Sequence, residues 1–293
     1  MISYQPKDWI RFIFKLHRTD TIRQLFPLIV FLGFFSWGVV YLEANYLKLP
    51  ENSHARNITT VHSLLGFAIS MLLVFRTNTA YDRWWEGRKL WGSLINNSRN
   101  LSVKLNSILP FDDEKNRSFF KKIIPLFAQE LRLHLLNEKT RLALDSSPHP
   151  EISGFDTSKH IPNQVAMVLV NRIHLMHRDR QISDFQMLFL NSELQSFLDI
   201  CGACERIKNT PIPYSYSAFL KKFIFLYVLT LPLGFAIPLG YFTIPAVIFI
   251  FYVLASLELI AEEIEDPFGK DENDLPMERM AGNIVKNVND ILA

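Results

Sequence analysis

The sequence predicts an all-α protein that lies partly in a membrane and partly in the cytosol. Residues 24–42 and 223–257 carry no charge, and about 20 apolar residues span a hydrocarbon core. Between these runs, apolar residues recur at helical spacing, while no strand pattern, internal repeat or glycine-rich phosphate loop stands out. These observations together favour membrane helices joined to a helical cytosolic region.

The composition excludes several classes of protein. The chain has 293 residues, of which 49% are hydrophobic and 20% charged, and its net charge of +2 gives no electrostatic case for nucleic-acid binding. Two cysteines imply no disulfide framework. Residues 1–20 are mixed and charged, unlike a signal peptide, so we expect the first apolar run to stay as a membrane anchor.

The apolar runs predict two membrane hairpins, 24–46 with 58–76 and 217–236 with 241–262. The later run is too long for one span, and prolines and glycines predict an uncharged turn at 238–243. Basic residues such as Arg23 and Arg76 flank the spans, and one membrane topology places all of these basic flanks on the cytoplasmic side. We therefore expect a multi-pass protein of the cell membrane with both termini inside the cell.

The cytosolic region is predicted to be helical throughout. No proline occurs between residues 50 and 110, so the second span is expected to continue into the cytosol as one long helix. A helical apolar pattern covers 113–140, a loop covers 145–162, and helices follow at about 163–178 and 184–208, the last with a capping box. The predicted regions are 1–76, 77–213, 214–264 and 265–293.

A stripe of bulky apolar residues lies on the second span. Phe67, Met71 and Phe75 stand four residues apart, which places them on one helix face over about 12 Å of axis. Ser63 and Thr79 continue the same stripe with hydroxyls at its two ends. This order suits a water path with a dry waist, although the spacing alone favours ordinary helix packing.

An acidic segment follows the last span. Residues 258–274 contain eight carboxylates in 17 positions, with a glycine that allows a turn. Oxygen-rich loops of this kind bind hard cations, although the spacing is not that of an EF-hand. The alternative is a solvated acidic helix end that pairs with the region of Arg76, Arg83 and Arg88.

The remaining chemical candidates have simpler structural explanations. Cys201 and Cys204 resemble half of a redox or zinc site, but a buried helical pair is favoured because no second pair occurs. His174 and His177 share a helix face, which suits either a metal site or an exposed surface. His62 opens the second span, where packing is favoured over titration. No nucleophile–base arrangement has a convincing spacing, so we expect no enzyme.

The chain resembles the bestrophins, and in particular their prokaryotic branch. Matching motifs occur in order along nearly the whole chain, and the acidic run is the most specific of them. They are Ser63-Leu64-Leu65-Gly66, Phe75-Arg76, Ala80-Tyr81 with Arg83, Glu86 with Arg88, Leu90-Trp91-Gly92, Ser183-Asp184, Cys204-Glu205-Arg206, Thr210-Pro211 with Pro213, Glu262-Glu263-Ile264-Glu265-Asp266-Pro267-Phe268-Gly269 and Asn273-Asp274-Leu275-Pro276.

The resemblance implies a homopentameric ion channel in a lipid bilayer. Each subunit would contribute four membrane helices and a helical cytosolic region around one central pore. The apolar pore neck of the family falls on Phe67, Met71 and Phe75. A second constriction, the aperture, falls on Phe185, which the sequence alone would place in the core as an apolar residue at a helix start.

The resemblance also bears on ions. The loop ligands of the calcium clasp in eukaryotic members map to Glu263, Asp266, Asp271 and Asp274, so calcium or another divalent cation is the candidate ligand, although no cofactor is expected to be required. Monovalent cations are favoured as the permeant ions, with chloride as the alternative. A non-conducting membrane scaffold or sensor with a cation-binding acidic loop is the rival function.

Overall fold

A computed structural model describes residues 21–48, 57–136, 155–156 and 158–293. The regular elements in these ranges are all helical. In chain order they are α1 Thr21–Leu42, a π-helical turn Glu43–Leu47, α2 Asn57–Ile108, α3 Glu114–Leu135, α4 Ile161–Arg178, α5 Asp184–Asn209, α6 Tyr214–Leu239, a 3₁₀ turn Gly240–Phe242, α7 Thr243–Glu265 and α8 Met277–Ile291. The predicted all-α class is therefore confirmed for the described residues.

The described chain forms two compact units. The first, called here the apolar unit, comprises the described residues of 21–83 together with 211–265. The second, the amphipathic unit, comprises the described residues of 84–210 together with 266–293. Helix α2 contributes residues to both units, and its 52 residues confirm the prediction of one long helix.

The apolar unit is built from α1, the first part of α2, α6 and α7. Helices α6 and α7 are antiparallel, because Lys221 near the start of α6 pairs with Glu262 near the end of α7 at 2.8 Å. At their other ends, the Thr243 hydroxyl donates to the Phe235 carbonyl at 2.9 Å. Buried residues from all four helices form one core, and they include Leu32 of α1, Ile69 of α2, Val228 of α6 and Phe251 of α7.

Three helical stretches in the described chain are long and apolar enough to cross a membrane: Thr21–Leu47, Ile58–Ile108 and Tyr214–Glu265. The third contains the predicted turn, which lies at Gly240–Phe242. Helix α6 continues through Pro232 and Pro238 and ends only at Gly240, whose φ of +52° belongs to a backbone region that side chains rarely adopt. The reversal therefore depends on this glycine and not on the prolines before it.

Local hydrogen bonds define the helix starts of the amphipathic unit. Asp113 caps α3 by accepting from the Asn116 amide, and Ser183 and Gln186 form the predicted capping box of α5. The guanidinium of Arg117 donates to Asn106 at 2.6 Å, which holds the turn between α2 and α3. These contacts satisfy helix-end groups that would otherwise lack partners.

The core of the amphipathic unit is rich in aromatic residues. Trp91 of α2, Phe119 and Phe127 of α3 and Phe197 of α5 are fully buried, and the Phe127 and Phe197 rings meet edge to face with centroids 4.9 Å apart. Ile284 of α8 closes the same cluster. The N-terminal segment 1–20 and most of the predicted loop 145–162 lie outside the described residues.

Candidate functional site

The apolar stripe of α2 is exposed on the single chain. Phe67, Met71 and Phe75 are 68%, 46% and 59% exposed, whereas Ile69 and Leu73 on the other side of the helix are buried in the core of the apolar unit. Packing within this chain therefore does not account for the stripe. A surface of three bulky apolar side chains is left for lipid, for another copy or for a water path.

The two ends of the stripe carry hydroxyls but no charge. Ser63 donates to the Thr59 carbonyl at 3.0 Å, and Thr79 donates to the Phe75 carbonyl at 2.9 Å. Each hydroxyl thus satisfies its donor on the preceding turn of the same helix, and its oxygen keeps lone pairs that can accept. The stripe consequently presents polar acceptors at its ends and nothing polar in between.

Phe185 lies in the first turn of α5 and is 84% exposed. The expectation of a core staple, which the sequence alone favoured, is wrong, because no neighbour in the amphipathic unit covers the ring. Leu188, one turn later, is also exposed, and Phe189 lies under the Lys104 ammonium at 4.2 Å from its ring centroid. The start of α5 therefore presents an apolar surface beside a basic group.

A buried ion-pair network follows the stripe directly. The guanidinium of Arg76 is almost fully buried and lies 2.7 Å from a carboxylate oxygen of Glu265 and 3.5 Å from one of Glu258. Arg83 donates to the Glu265 carbonyl at 3.0 Å. The expected pairing of the acidic helix end with Arg76 is confirmed, but the expected solvation is wrong, because the Arg76 and Glu258 side chains are only 1% and 3% exposed. The network joins α2 to the end of α7 within the apolar unit.

The acidic loop between α7 and α8 is closed by its own side chains. An Asp274 carboxylate oxygen accepts from the Asp271 amide at 2.6 Å, and Asp266 accepts from the Phe268 amide at 3.2 Å. Burial raises the pKa of Asp274 to about 7, since the charged carboxylate loses water there. These aspartates shape the turn of the loop.

The four acidic cation candidates are divided between the two compact units. Glu263 belongs to α7 in the apolar unit, whereas Asp266, Asp271 and Asp274 belong to the amphipathic unit. Among the described residues, the ligand atoms of those three aspartates do not converge within 4.8 Å of one another, as a shared ion would require. Divalent-cation binding at this loop stays a prediction.

The aromatic residue of the acidic loop anchors it to α2. Phe268 is fully buried, and a Cβ atom added at Gly87 of α2 would lie 3.1 Å from both the Phe268 ring and the Pro267 ring. Only a glycine at position 87 permits this approach without displacement of a rigid ring. The residue types of the acidic run are therefore explained by packing as well as by charge.

The cysteines behave as predicted. Cys201 and Cys204 are unbridged and buried in α5. Burial raises the pKa of the Cys201 thiol to about 12 and that of the Cys204 thiol even further. Both thiols are therefore protonated and unreactive at neutral pH, which confirms the buried helical pair.

The three histidines considered from the sequence have different surroundings. His62 is buried, with ring nitrogens 2.8 Å from the Ile58 carbonyl and 3.0 Å from the Thr230 hydroxyl, so its packing role is confirmed. His177 lies 2.6 Å from Asp184, and His174 is exposed. Neither of the last two belongs to a cluster of metal-ligand atoms among the described residues.

A different pair of histidines does converge. His134 of α3 and His160 before α4 lie beside Glu205 of α5, and their ligand atoms are all within 4.8 Å of one another. Sequence reasoning missed this group because the residues are 45 and 71 positions from Glu205 along the chain. Only Glu205 lies in a recognised motif, so no spacing signal connects the three.

Comparisons with known proteins agree over nearly the whole chain. A family model described as Bacterial/Fungal Bestrophin protein matches residues 1–290. The voltage-dependent anion channel-forming protein alr2987 of Nostoc is 31% identical, covering 99% of this chain and 94% of its own. The protein of the same description, YneE, from Escherichia coli K12 is 31% identical over 97% of this chain and 91% of its own.

Solved structures give the same result. A mutant of a bacterial bestrophin homologue from Klebsiella pneumoniae superposes with a TM-score of 0.81 at 26% identity, covering 92% of this chain and 100% of that one. A second mutant of the Klebsiella homologue gives a TM-score of 0.80, also at 26% identity, over 91% of this chain and 98% of that one. The family model matches residues 1–290, and both relatives are 31% identical over nearly the whole chain, so this chain belongs to the bestrophin family.

Proposed function

We propose that the protein is a membrane ion channel in which five copies surround one central pore lined by α2. The observation that carries the proposal is the exposed apolar stripe of α2, which has a buried opposite face and uncharged hydroxyls at its ends. The family membership and the description of its relatives as anion channel-forming proteins support a channel. Within a pore, the stripe would form the neck.

The neck gates by wetting. Five copies of Phe67, Met71 and Phe75 make three apolar rings along about 12 Å of pore. An ion in so narrow and dry a segment loses hydration at a cost of several kcal/mol or more, so conduction requires the neck to widen and admit water. The hydroxyl oxygens of Ser63 and Thr79 contact the hydrated ion on either side of this barrier.

Phe185 forms a second and shorter constriction, the aperture. Each subunit contributes one exposed phenyl group, so the pentamer has a single apolar constriction at this level. It is too short to remove most of the hydration water of an ion. Such a ring affects which sizes of ion can pass and how strongly the current rectifies more than it affects the open probability. This division assigns gating to the neck and selectivity to the aperture.

The permeant ions are monovalent, and two lines of support differ on their sign. The prokaryotic resemblance favours cations, whereas the names of the Nostoc and Escherichia relatives favour anions such as chloride. An apolar neck coordinates neither kind of ion. The reversal potential of wild-type channels in asymmetric sodium chloride decides between them.

The membrane arrangement follows from the same assignment. Helices α1, α6 and α7 and the first part of α2 are the four spans, and both termini face the cytoplasm of a cell-membrane protein. The amphipathic unit and the acidic loop then lie in the cytosol. Tagged termini that become labelled from outside intact cells would contradict this orientation.

Planar-bilayer recording of the purified protein tests the neck. Replacing Phe67, Met71 and Phe75 together with alanine is expected to raise the open probability or leak, because the smaller side chains widen the neck and let it fill with water. Phe249→Ala is the matched control, since this exposed ring lies on α7 of the same unit. Unchanged currents in the triple variant would refute the assignment of the neck to these residues. Absence of ion flux in liposomes that contain the wild-type protein would favour the non-conducting scaffold or sensor.

The aperture is tested in the same recordings. Phe185→Ala is expected to change selectivity or rectification while the assembly elutes as before. Phe111→Ala is the control, because Phe111 is also an exposed ring of the amphipathic unit. Identical selectivity and rectification in Phe185→Ala and wild type would contradict an aperture at this residue.

Regulation by a divalent cation at the acidic loop is a separate proposal. Calcium applied to the cytosolic side is expected to alter the open probability, and Asp271→Asn is expected to weaken that response. The supporting observation is Asp274, a buried carboxylate with one oxygen that has no hydrogen-bond partner among the described residues. Equal calcium responses in wild type and Asp271→Asn would remove the loop as the site.

A further inference from the structure

Three side chains from separate parts of the amphipathic unit meet at one point. His134 lies in the last turn of α3, His160 is the N-cap residue of α4, and Glu205 lies near the end of α5. The Nε2 atoms of the two histidines are 2.7 Å and 2.5 Å from the same oxygen, Oε1 of Glu205. Each side chain is about one-third exposed.

The donor set is that of a transition-metal site. Two imidazole nitrogens and one carboxylate oxygen suit zinc and its neighbours, whereas calcium and magnesium prefer oxygen ligands only. Three protein ligands also leave a fourth tetrahedral position for water.

The geometry needs only small movements to admit an ion. Zinc bonds of about 2.0–2.2 Å in a tetrahedral arrangement place neighbouring ligand atoms about 3.3 Å apart. The carboxylate oxygen is now 2.5–2.7 Å from each Nε2, so each contact must open by less than 1 Å.

We propose that His134, His160 and Glu205 together bind one zinc-like divalent transition-metal ion per subunit. The ion would tie the end of α3 to the start of α4 and to α5. This site is separate from the acidic loop and from the proposed neck, and it does not depend on ion conduction.

Metal binding has a predictable local consequence. Nδ1 of His160 accepts from the Asn163 amide at 3.2 Å, so the neutral ring carries its proton on Nε2 and donates it to Glu205. A metal at Nε2 requires that nitrogen to be deprotonated, and the neutral ring then holds its proton on Nδ1. The hydrogen bond from the Asn163 amide is then lost, so this amide hydrogen should exchange faster with solvent when zinc binds.

Zinc titration of the full-length protein in detergent, stripped of metal with a chelator, is the primary test. Isothermal titration calorimetry is expected to give one site per subunit and a rise in Tm with zinc but not with magnesium. The His134→Ala/His160→Ala variant is expected to lose affinity by more than about tenfold, since loss of even a hydrogen-bonded partner of a metal ligand costs about 10–100-fold. His174→Ala, which removes an exposed histidine of α4 outside the cluster, is the matched control and should bind as wild type does.

X-ray absorption of the zinc-loaded wild type gives a readout that needs no variant. A shell of nitrogen and oxygen neighbours with imidazole scattering is expected. A sulfur shell would place the metal on Cys201 or Cys204 and overturn the proposal. Absence of binding in the wild type, or undiminished binding in the folded double variant, would also overturn it.

Discussion

Replacement of Arg76 by methionine tests the ion-pair network next to the apolar stripe. The Arg76 side chain is 1% exposed and faces Glu258 and Glu265, which are 3% and 13% exposed. Neither carboxylate oxygen of Glu258 has a hydrogen-bond donor among the described residues, so Arg76 supplies its neutralising charge. Methionine keeps most of the side-chain volume and removes only the charge and the donors.

The expected magnitude follows from this burial. Removing one partner of a buried ion pair costs about 3–5 kcal/mol because the other charge is left uncompensated. For a chain of this size, 1 kcal/mol corresponds to about 2–4 °C in Tm, so the variant should melt about 6–20 °C lower. The measurement is the loss of the assembled peak in size-exclusion chromatography after heating in detergent.

A second pair in the same unit provides the matched control. Lys221 and Glu262 also join two helices, but their side chains are 46% and 50% exposed. Exposed pairs contribute about 0–1 kcal/mol, so Lys221→Met should lower Tm by less than about 4 °C. Equal shifts in Arg76→Met and Lys221→Met would refute the argument from burial.

A neutral triple variant separates charge from packing. Changing Glu258 and Glu265 to glutamine in the Arg76→Met background removes the uncompensated charges, and neutral replacements of buried ion pairs are often tolerated. We expect this triple variant to recover most of the lost Tm. A further loss on adding the two glutamines would show that the carboxylates do not depend on Arg76.

Two more predictions concern the acidic loop. Phe268→Ala removes a fully buried ring and should cost about 3–5 kcal/mol of stability, measured by thermal unfolding, while the exposed Phe111→Ala should lie within about 0.5 kcal/mol of wild type. Similar losses in both would contradict the packing of Phe268 on Gly87. Burial raises the pKa of Asp274 from 3.8 to about 7. Between these two values the folded state keeps a proton on Asp274 that the unfolded state has lost. The stability that this group contributes is therefore complete below about pH 4 and is lost as the pH rises to 7. The Tm of Asp274→Asn relative to wild type should therefore rise between pH 4.5 and 7.5, and a constant difference would exclude this titration.

Much of the fold is encoded locally and could be predicted. The absence of proline allowed α2 to be recognised as one long helix, and the Ser183–Gln186 pair located the start of α5. Helical periodicity and capping act within a few residues, so they leave a signal in neighbouring sequence positions. The reversal between α6 and α7 was also predicted, and Gly240, one of the prolines and glycines that predict it, has the positive φ at the turn.

The candidate site was predictable only in part. The periodicity placed Phe67, Met71 and Phe75 on one face, but it left packing as the favoured explanation until motifs elsewhere in the chain pointed to a family. Burial of Phe185 was predicted wrongly, because whether an apolar residue at a helix start is covered depends on the elements that pack around it. The aperture assignment came from resemblance, and the exposed ring is compatible with it.

The helices, the apolar runs and the family could be recognised from residue types alone, since each depends on short or characteristic spacings along the chain. The tertiary structure alone decided which charges and ligands meet. The acidic segment offers eight carboxylates as candidate partners of Arg76. In the structure, Arg76 pairs with Glu258 and Glu265. His134, His160 and Glu205 converge from three parts of the chain. Contacts between distant residues are fixed by how helices pack, and this packing leaves no periodic trace in the sequence of any one of them.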